Sequence, residues 1–149
     1  MNLRYGMEIR AATPTEAPGL AILLAEAGLR LDARELAERL AKLRQGPATA
    51  LVALQWGPPS GLLLMHWYPS LESAAPMARI TLLLVAAEQR RLGIGRLLLK
   101  AAAQAARVAG CDRMEMASPP DAAALEAFCR ATGFAEAGSS FVRSLRKQA

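Results

Sequence analysis

The segment Ile80–Lys100, ITLLLVAAEQRRLGIGRLLLK, constrains this chain most. An apolar run of strand length passes through a charged turn into two glycines, and a helical pattern begins among them. Every α-helix leaves its first amide N–H groups without intrahelical acceptors. No Ser, Thr, Asp or Asn stands at this helix start to cap them. Gly93 and Gly95 carry no side chains that block approach, and Arg90, Arg91 and Arg96 add full positive charges to the helix dipole. Such a terminus suits a pyrophosphate. The plainer alternative is that the glycines only permit a tight turn and close helix–sheet packing. The uncapped start and the three arginines favour the ligand.

The rest of the chain supplies the frame for this turn. Met7–Ala11 reads as a strand, and Thr13-Pro14 starts a helix that reaches about Ala27, with Leu20, Leu23 and Leu24 on its buried face. Asp32 opens a second helix with Leu36, Leu40 and Leu43 at helical period, ended by Gly46-Pro47. Ala48–Gln55 and Gly61–Tyr68 form a hairpin about Trp56-Gly57-Pro58-Pro59-Ser60. A strand over Arg79–Ala86 leads into the glycine turn and a helix from about Gly93 to Ala109. Asp112–Ala117 is a strand, Pro119-Pro120-Asp121 opens a short helix closing at Gly133, and Phe134–Ala137 with Ser139–Leu145 reads as a terminal hairpin. The order is that of a mixed α/β sheet rather than a regular βαβ array. With 149 residues and no linker or repeat, one domain over 1–149 is expected.

Several function classes fall away. Two cysteines, Cys111 and Cys129, and a single histidine, His66, make neither a disulfide framework nor a metal cluster. No apolar run approaches the roughly 18 residues that span a bilayer. Met1–Arg10 lacks the apolar stretch of a secretory signal, so a cytoplasmic protein without membrane contact is expected. The net charge of +5 suits an anionic partner but is too small to choose one. Nucleic-acid binding would rest on that charge alone, with no aromatic-interleaved basic surface or reading motif beside it. A P-loop string is absent, and a dinucleotide fingerprint would need glycine where Leu98 stands. Glu115 does lie about where that fingerprint's ribose acid would be, but no second nucleotide-binding half fits in the remaining length.

Arg90-x-x-Gly93-x-Gly95 after a Leu-rich strand resembles the acyl-CoA pyrophosphate loop of the GNAT acetyltransferase superfamily. Phe128-Cys129-Arg130-Ala131-Thr132-Gly133-Phe134 is similar to the family's Phe-Tyr-x-x-x-Gly-Phe segment, and the element order matches from Met7 to Leu145. The resemblance implies a mixed, mostly antiparallel central sheet of six to seven strands flanked by about four helices. It further implies acetyl-CoA as co-substrate, no metal, and direct transfer to a primary amine of a small molecule or protein. Arg90, Arg91, Leu92, Gly93, Ile94, Gly95 and Arg96 would hold the pyrophosphate. Leu83, Leu84 and Val85 would face the pantetheine arm, with an amide near Leu83 or Leu84 polarising the thioester carbonyl. Members of the family frequently dimerise through their C-terminal strands, which makes a homodimer an option here.

The sequence departs from the family pattern in four places. Cys129 replaces the tyrosine that often protonates the leaving thiolate, Ala122 replaces an asparagine, and Thr81 and Leu82 stand where a carboxylate is common. Ala87 occupies a frequent proline position. Cys129 is a candidate general acid, since thiols ordinarily titrate at about 8.5, or else a small buried hydrophobe. His66 is the candidate base, an imidazole being the side chain suited to proton transfer near neutrality; flanked by aromatics, it reads equally as a packing or substrate-shaping residue. Tyr68 is a candidate acid or acceptor-site wall. Glu115 alternates with Met114 and Met116 and reads as a structural or solvated acid that could orient an amine. The missing tyrosine, asparagine and strand acid leave a rival reading, a non-catalytic acyl-CoA-binding module.

Overall fold

The computed structural model describes residues 6–90, 92–116, 123–135 and 143–145. Two compact units divide the chain, 1–117 and 118–149. The first contains β1 (Glu8–Ala11), α1 (Ala17–Glu26), α2 (Ala33–Gln45), β2 (Ala48–Leu54), β3 (Gly61–Tyr68), β4 (Met77–Val85), α3 (Ile94–Val108) and β5 (Arg113–Met116). Short 3-10 turns at Pro14–Glu16 and Ala87–Gln89 precede α1 and α3. The second unit contains α4 (Ala123–Ala131).

The sheet runs β1-β2-β3-β4-β5. Its first four strands are antiparallel neighbours, and β5 joins β4 in parallel. Six to seven strands are expected from the sequence; among the described residues there are five. Phe134 lies outside the strand expected there because its amide is already committed, donating to the Cys129 carbonyl at 2.9 Å where α4 ends. Most of the expected terminal hairpin lies outside the described residues.

Side-chain alternation divides the sheet between two layers. Ala50, Val52, Leu62 and Ala86 join Leu20, Leu23, Leu24, Leu36 and Leu40 in a cluster with α1 and α2, and Leu64, Leu82 and Leu84 pack against it. Helix α3 covers the opposite face, sealing Ile94, Leu98, Ala102 and Ala106. Gly61 permits that contact. A Cβ added there would stand 2.9 Å from Leu98 Cδ1 and 3.0 Å from Ile94 Cγ2. The first turn of α3 can therefore rest directly on β3.

One buried acid fixes the entry to α1. Glu16 accepts from Arg10 Nη1 at 2.7 Å, from the Thr13 amide at 2.9 Å and from the Thr13 hydroxyl at 3.0 Å. Burial pushes the carboxyl up, but the bonds from Arg10 and Thr13 together outweigh it and hold the group below the usual carboxylate range. A depressed folded pKa adds stability above the unfolded value and loses it as pH falls through the folded one. Glu16→Gln should accordingly cost about 1–2 kcal/mol at neutral pH. In denaturant titrations from neutral to strongly acidic pH, its deficit against wild type should vanish below the folded pKa of Glu16.

Candidate active site

The register between β3 and β4 shifts at Leu64/Met65, so that Met65 pairs with Ile80 while Leu64 pairs with Leu82. Thr81 is the extra residue, a bulge that reverses side-chain parity along β4. Before it, Ile80 shares a face with Met65; after it, Leu82 and Leu84 turn to the α1/α2 layer. At the same point β4 loses its second neighbour. Its pairing with β5 ends at Ile80↔Met116, and no described residue pairs with Thr81–Val85 on that side.

Backbone alternation then fixes which groups the open edge offers. The Ala86 amide donates to the Ser60 carbonyl at 2.8 Å, within the same register as Leu62↔Leu84 and Leu64↔Leu82. In an antiparallel ladder every second residue turns its N–H and C=O to the neighbour. Leu82, Leu84 and Ala86 therefore face β3, and Leu83 and Val85 face outward. The Val85 carbonyl confirms this, accepting from Arg90 Nε at 3.4 Å. Of the two amides singled out in the sequence, only that of Leu83 reaches the edge.

The turn following this edge ends in Gly93, the N-cap of α3, at φ 82° with no side-chain cap. That left-handed conformation favours glycine. Leu97 is the first residue of α3 whose amide reaches back to the Gly93 carbonyl, at 3.1 Å. The amides of Ile94, Gly95 and Arg96 precede it and have no intrahelical acceptor. Arg90, Leu92 and Arg96 are exposed around them; Arg91 lies outside the described residues. The uncapped amides, the glycine at the cap and the exposed arginines fit a pyrophosphate. Further along α3, Lys100, Gln104 and Arg107 are a solvated stripe.

A polar group occupies the α1/α2 face close to the parting point. His66 pairs with Arg79 and Arg79 with Glu115, so the three form a row across β3, β4 and β5. The Tyr68 hydroxyl donates to Glu115 Oε1 at 3.1 Å. Burial, the bond to Glu115 and its negative charge push the Tyr68 hydroxyl up, against the opposing charge of Arg79. Tyr68 therefore keeps its proton at neutral pH. Sequence reasoning places His66 and Tyr68 here but reads Glu115 as a structural or solvated acid. The alternation of Glu115 with two methionines is the local signal; its partnership with Tyr68 depends on strand order.

Cys129 belongs to the second unit, half-buried in α4, its thiol pushed up by burial and then by Glu126. Ala122 lies outside the described residues. No helix among the described residues is long and apolar enough to cross a membrane.

The sequence profile of the Acetyltransferase (GNAT) family matches residues 20–134. The chain belongs to the GNAT acetyltransferase family. It is thus an acyltransferase, of a family that uses acetyl-CoA. No curated protein sequence matches this GNAT chain, but solved structures do. One is a protein of Agrobacterium tumefaciens classed as an acetyltransferase, 26% identical, with TM-score 0.82 over 92% of this chain and 99% of that one. An aminoglycoside acetyltransferase from an uncultured soil sample, solved with sisomicin, is 22% identical with TM-score 0.80, over 97% and 100% of the two chains. A ribosomal-protein-alanine N-acetyltransferase of Brucella melitensis is 20% identical with TM-score 0.80, over 94% and 99%. The last two establish the shared fold, and their different acceptors leave the acceptor of this GNAT enzyme to be argued from its own residues.

Proposed function

We propose that this enzyme transfers the acetyl group of acetyl-CoA directly to a primary amine at the open edge of β4. The observation that carries the reading is the juxtaposition of the open edge of β4 with the uncapped start of α3. The outward Leu83 and Val85 groups lie on the strand that runs into the uncapped start of α3. In this reading the amides of Ile94, Gly95 and Arg96 hold the pyrophosphate, with Arg90 and Arg96 adding charge. Leu92 and Gly93 complete the turn, and Arg91, outside the described residues, is added on the family resemblance alone. Val85 pairs with the pantetheine amides, Leu84 packs behind that edge, and the Leu83 amide is the oxyanion donor.

Acetyl-CoA, when bound, supplies an activated acetyl group as a thioester. The residues of the chain have the remaining tasks. Glu115, held by Tyr68, receives the acceptor ammonium one residue from the point where β4 and β5 part. His66 and Glu115 share that face and take up the proton the amine must lose. Tyr68, with its raised pKa, serves as a donor rather than a base. On the family resemblance alone, Cys129 is the candidate source of the proton that the leaving thiolate needs. A cytoplasmic location is proposed with this reading, and a homodimer is added on the family resemblance alone.

The test is calorimetric titration of acetyl-CoA into protein shown to be free of copurified CoA, followed by CoA release in the presence of amines. Binding with amine-dependent release is expected. Binding without release from any amine would reduce the protein to an acyl-CoA-binding module, and no binding at millimolar acetyl-CoA would remove the reading altogether.

A further inference from the structure

An open cavity of about 620 Å3 lies between the C-terminal half of α2 and the ends of β2 and β3. This volume falls within the roughly 300–1,000 Å3 usual for small-molecule sites. Leu43, Pro47 and Ala48 give it an apolar lining, His66 and Tyr68 stand on the β3 side, and Lys42 stands on α2.

Lys42 lies at one end of the lining, and Tyr68 at the other holds an acid just outside it. Arg39, on the same wall, is already bound to Glu35 at 2.8 Å. Lys42 is in no ion pair among the described residues. The C-terminus of α2 brings about half a negative charge to this region, which the full charge of Lys42 outweighs. At the other end Tyr68 holds Glu115, which is likewise in no ion pair among the described residues. His66 and Glu115 are two strands apart in register, roughly 10 Å at the usual strand spacing. Arg79 lies between them, its charge acting on the Tyr68 hydroxyl. The cavity thus runs from Lys42, across apolar surface, to His66 and Tyr68, and the Tyr68 hydroxyl holds Glu115 just beyond that lining.

We propose that the acceptor is a small amine that also carries an anionic group across a short apolar spacer. Its ammonium meets Glu115 and its anion meets Lys42. The proposal rests on acetyl transfer at the β4 edge and adds the acceptor's chemical class. A polyamine is disfavoured, because its second ammonium would face Lys42. A protein amine is disfavoured by the apolar, molecule-sized cavity.

Rates of CoA release would be measured with 6-aminohexanoate and with hexylamine, which share a six-carbon amine and differ in the carboxylate. Wild-type kcat/KM should be roughly tenfold or more higher for 6-aminohexanoate, the scale of one charge-assisted contact. Lys42→Gln should remove the preference and Lys42→Glu should reverse it, both with acetyl-CoA affinity unchanged by calorimetry. That unchanged affinity also reports intact folding. Glu115→Gln should lower kcat/KM for both amines by about tenfold. Equal or faster turnover of hexylamine, turnover of neither amine, or a preference surviving Lys42→Glu would overturn the proposal. Failure of the wild type to bind acetyl-CoA would instead overturn the underlying reading of the β4 edge.

Discussion

Gly95→Asp is expected to keep the fold and lose acetyl-CoA. Gly95 is the second residue of α3, where an acidic side chain complements the helix dipole and where replacing glycine reduces the entropy of the unfolded chain. The melting temperature should therefore stay level or rise. The same carboxylate would occupy the place assigned to the pyrophosphate and repel it. It would also compete for the Ile94, Gly95 and Arg96 amides. Affinity for acetyl-CoA should fall by about a hundredfold or more, the loss of two charge-assisted hydrogen bonds. Paired thermal unfolding and calorimetric titration separate the two effects. A variant that unfolds early, or one that binds normally, would be inconsistent with an uncapped, phosphate-holding terminus.

Gly61→Val should damage stability and binding together. The first added carbon meets Leu98 Cδ1 at 2.9 Å, Ile94 Cγ2 at 3.0 Å and the Leu84 carbonyl oxygen at 3.3 Å. Two further methyl groups deepen the clash. Leu98 can yield at its flexible end, but the Leu84 carbonyl is backbone of β4. The cost should be about 3 kcal/mol, near the upper end for overpacking a core, read as a lower denaturant midpoint. Because Ile94 is the first residue of α3, the helix start should also move away from β4. The folded fraction should then bind acetyl-CoA about tenfold more weakly, a displacement penalty the size of one lost charged contact. Leu23→Ala in the opposite layer supplies the control, lowering stability by about 2–5 kcal/mol without that binding loss.

Much of this architecture is legible in the sequence where local chemistry is strong. Proline brackets β3 on both sides, at Pro59 and Pro69, and its span Gly61–Tyr68 is the one expected. The Asp32 side chain accepts from the Glu35 amide at 2.7 Å and starts α2 as the capping pattern predicts. β4 begins at Met77 rather than Arg79 because Met77 and Ala78 find partners in Tyr68 and Trp67 across the hairpin. Nothing in Pro69–Met77 alone carries that information. The Thr81 bulge is hidden for a related reason. Leu82, Leu83 and Leu84 are chemically alike, so a change of parity leaves no trace in hydrophobicity. The glycine turn was readable because it lacks something, a capping side chain. The Tyr68–Glu115 bond spans 47 residues and requires β3, β4 and β5 to be adjacent in that order. Local pattern fixes each strand's faces, but it does not say which faces meet. The proposed mechanism gives Glu115 on β5 the place of the carboxylate that the family often carries on β4, and nothing in the sequence of β4 points to it.

The most direct test of the central claim is amide hydrogen exchange, resolved by residue, with and without saturating acetyl-CoA. Leu83 on the edge of β4 and Ile94, Gly95 and Arg96 at the start of α3 have no backbone acceptor among the described residues. Acetyl-CoA should slow exchange at these four amides by roughly tenfold or more, while Leu84, already bonded toward β3, changes little. Binding that leaves all four unchanged, or that protects Leu84 instead of Leu83, would contradict it.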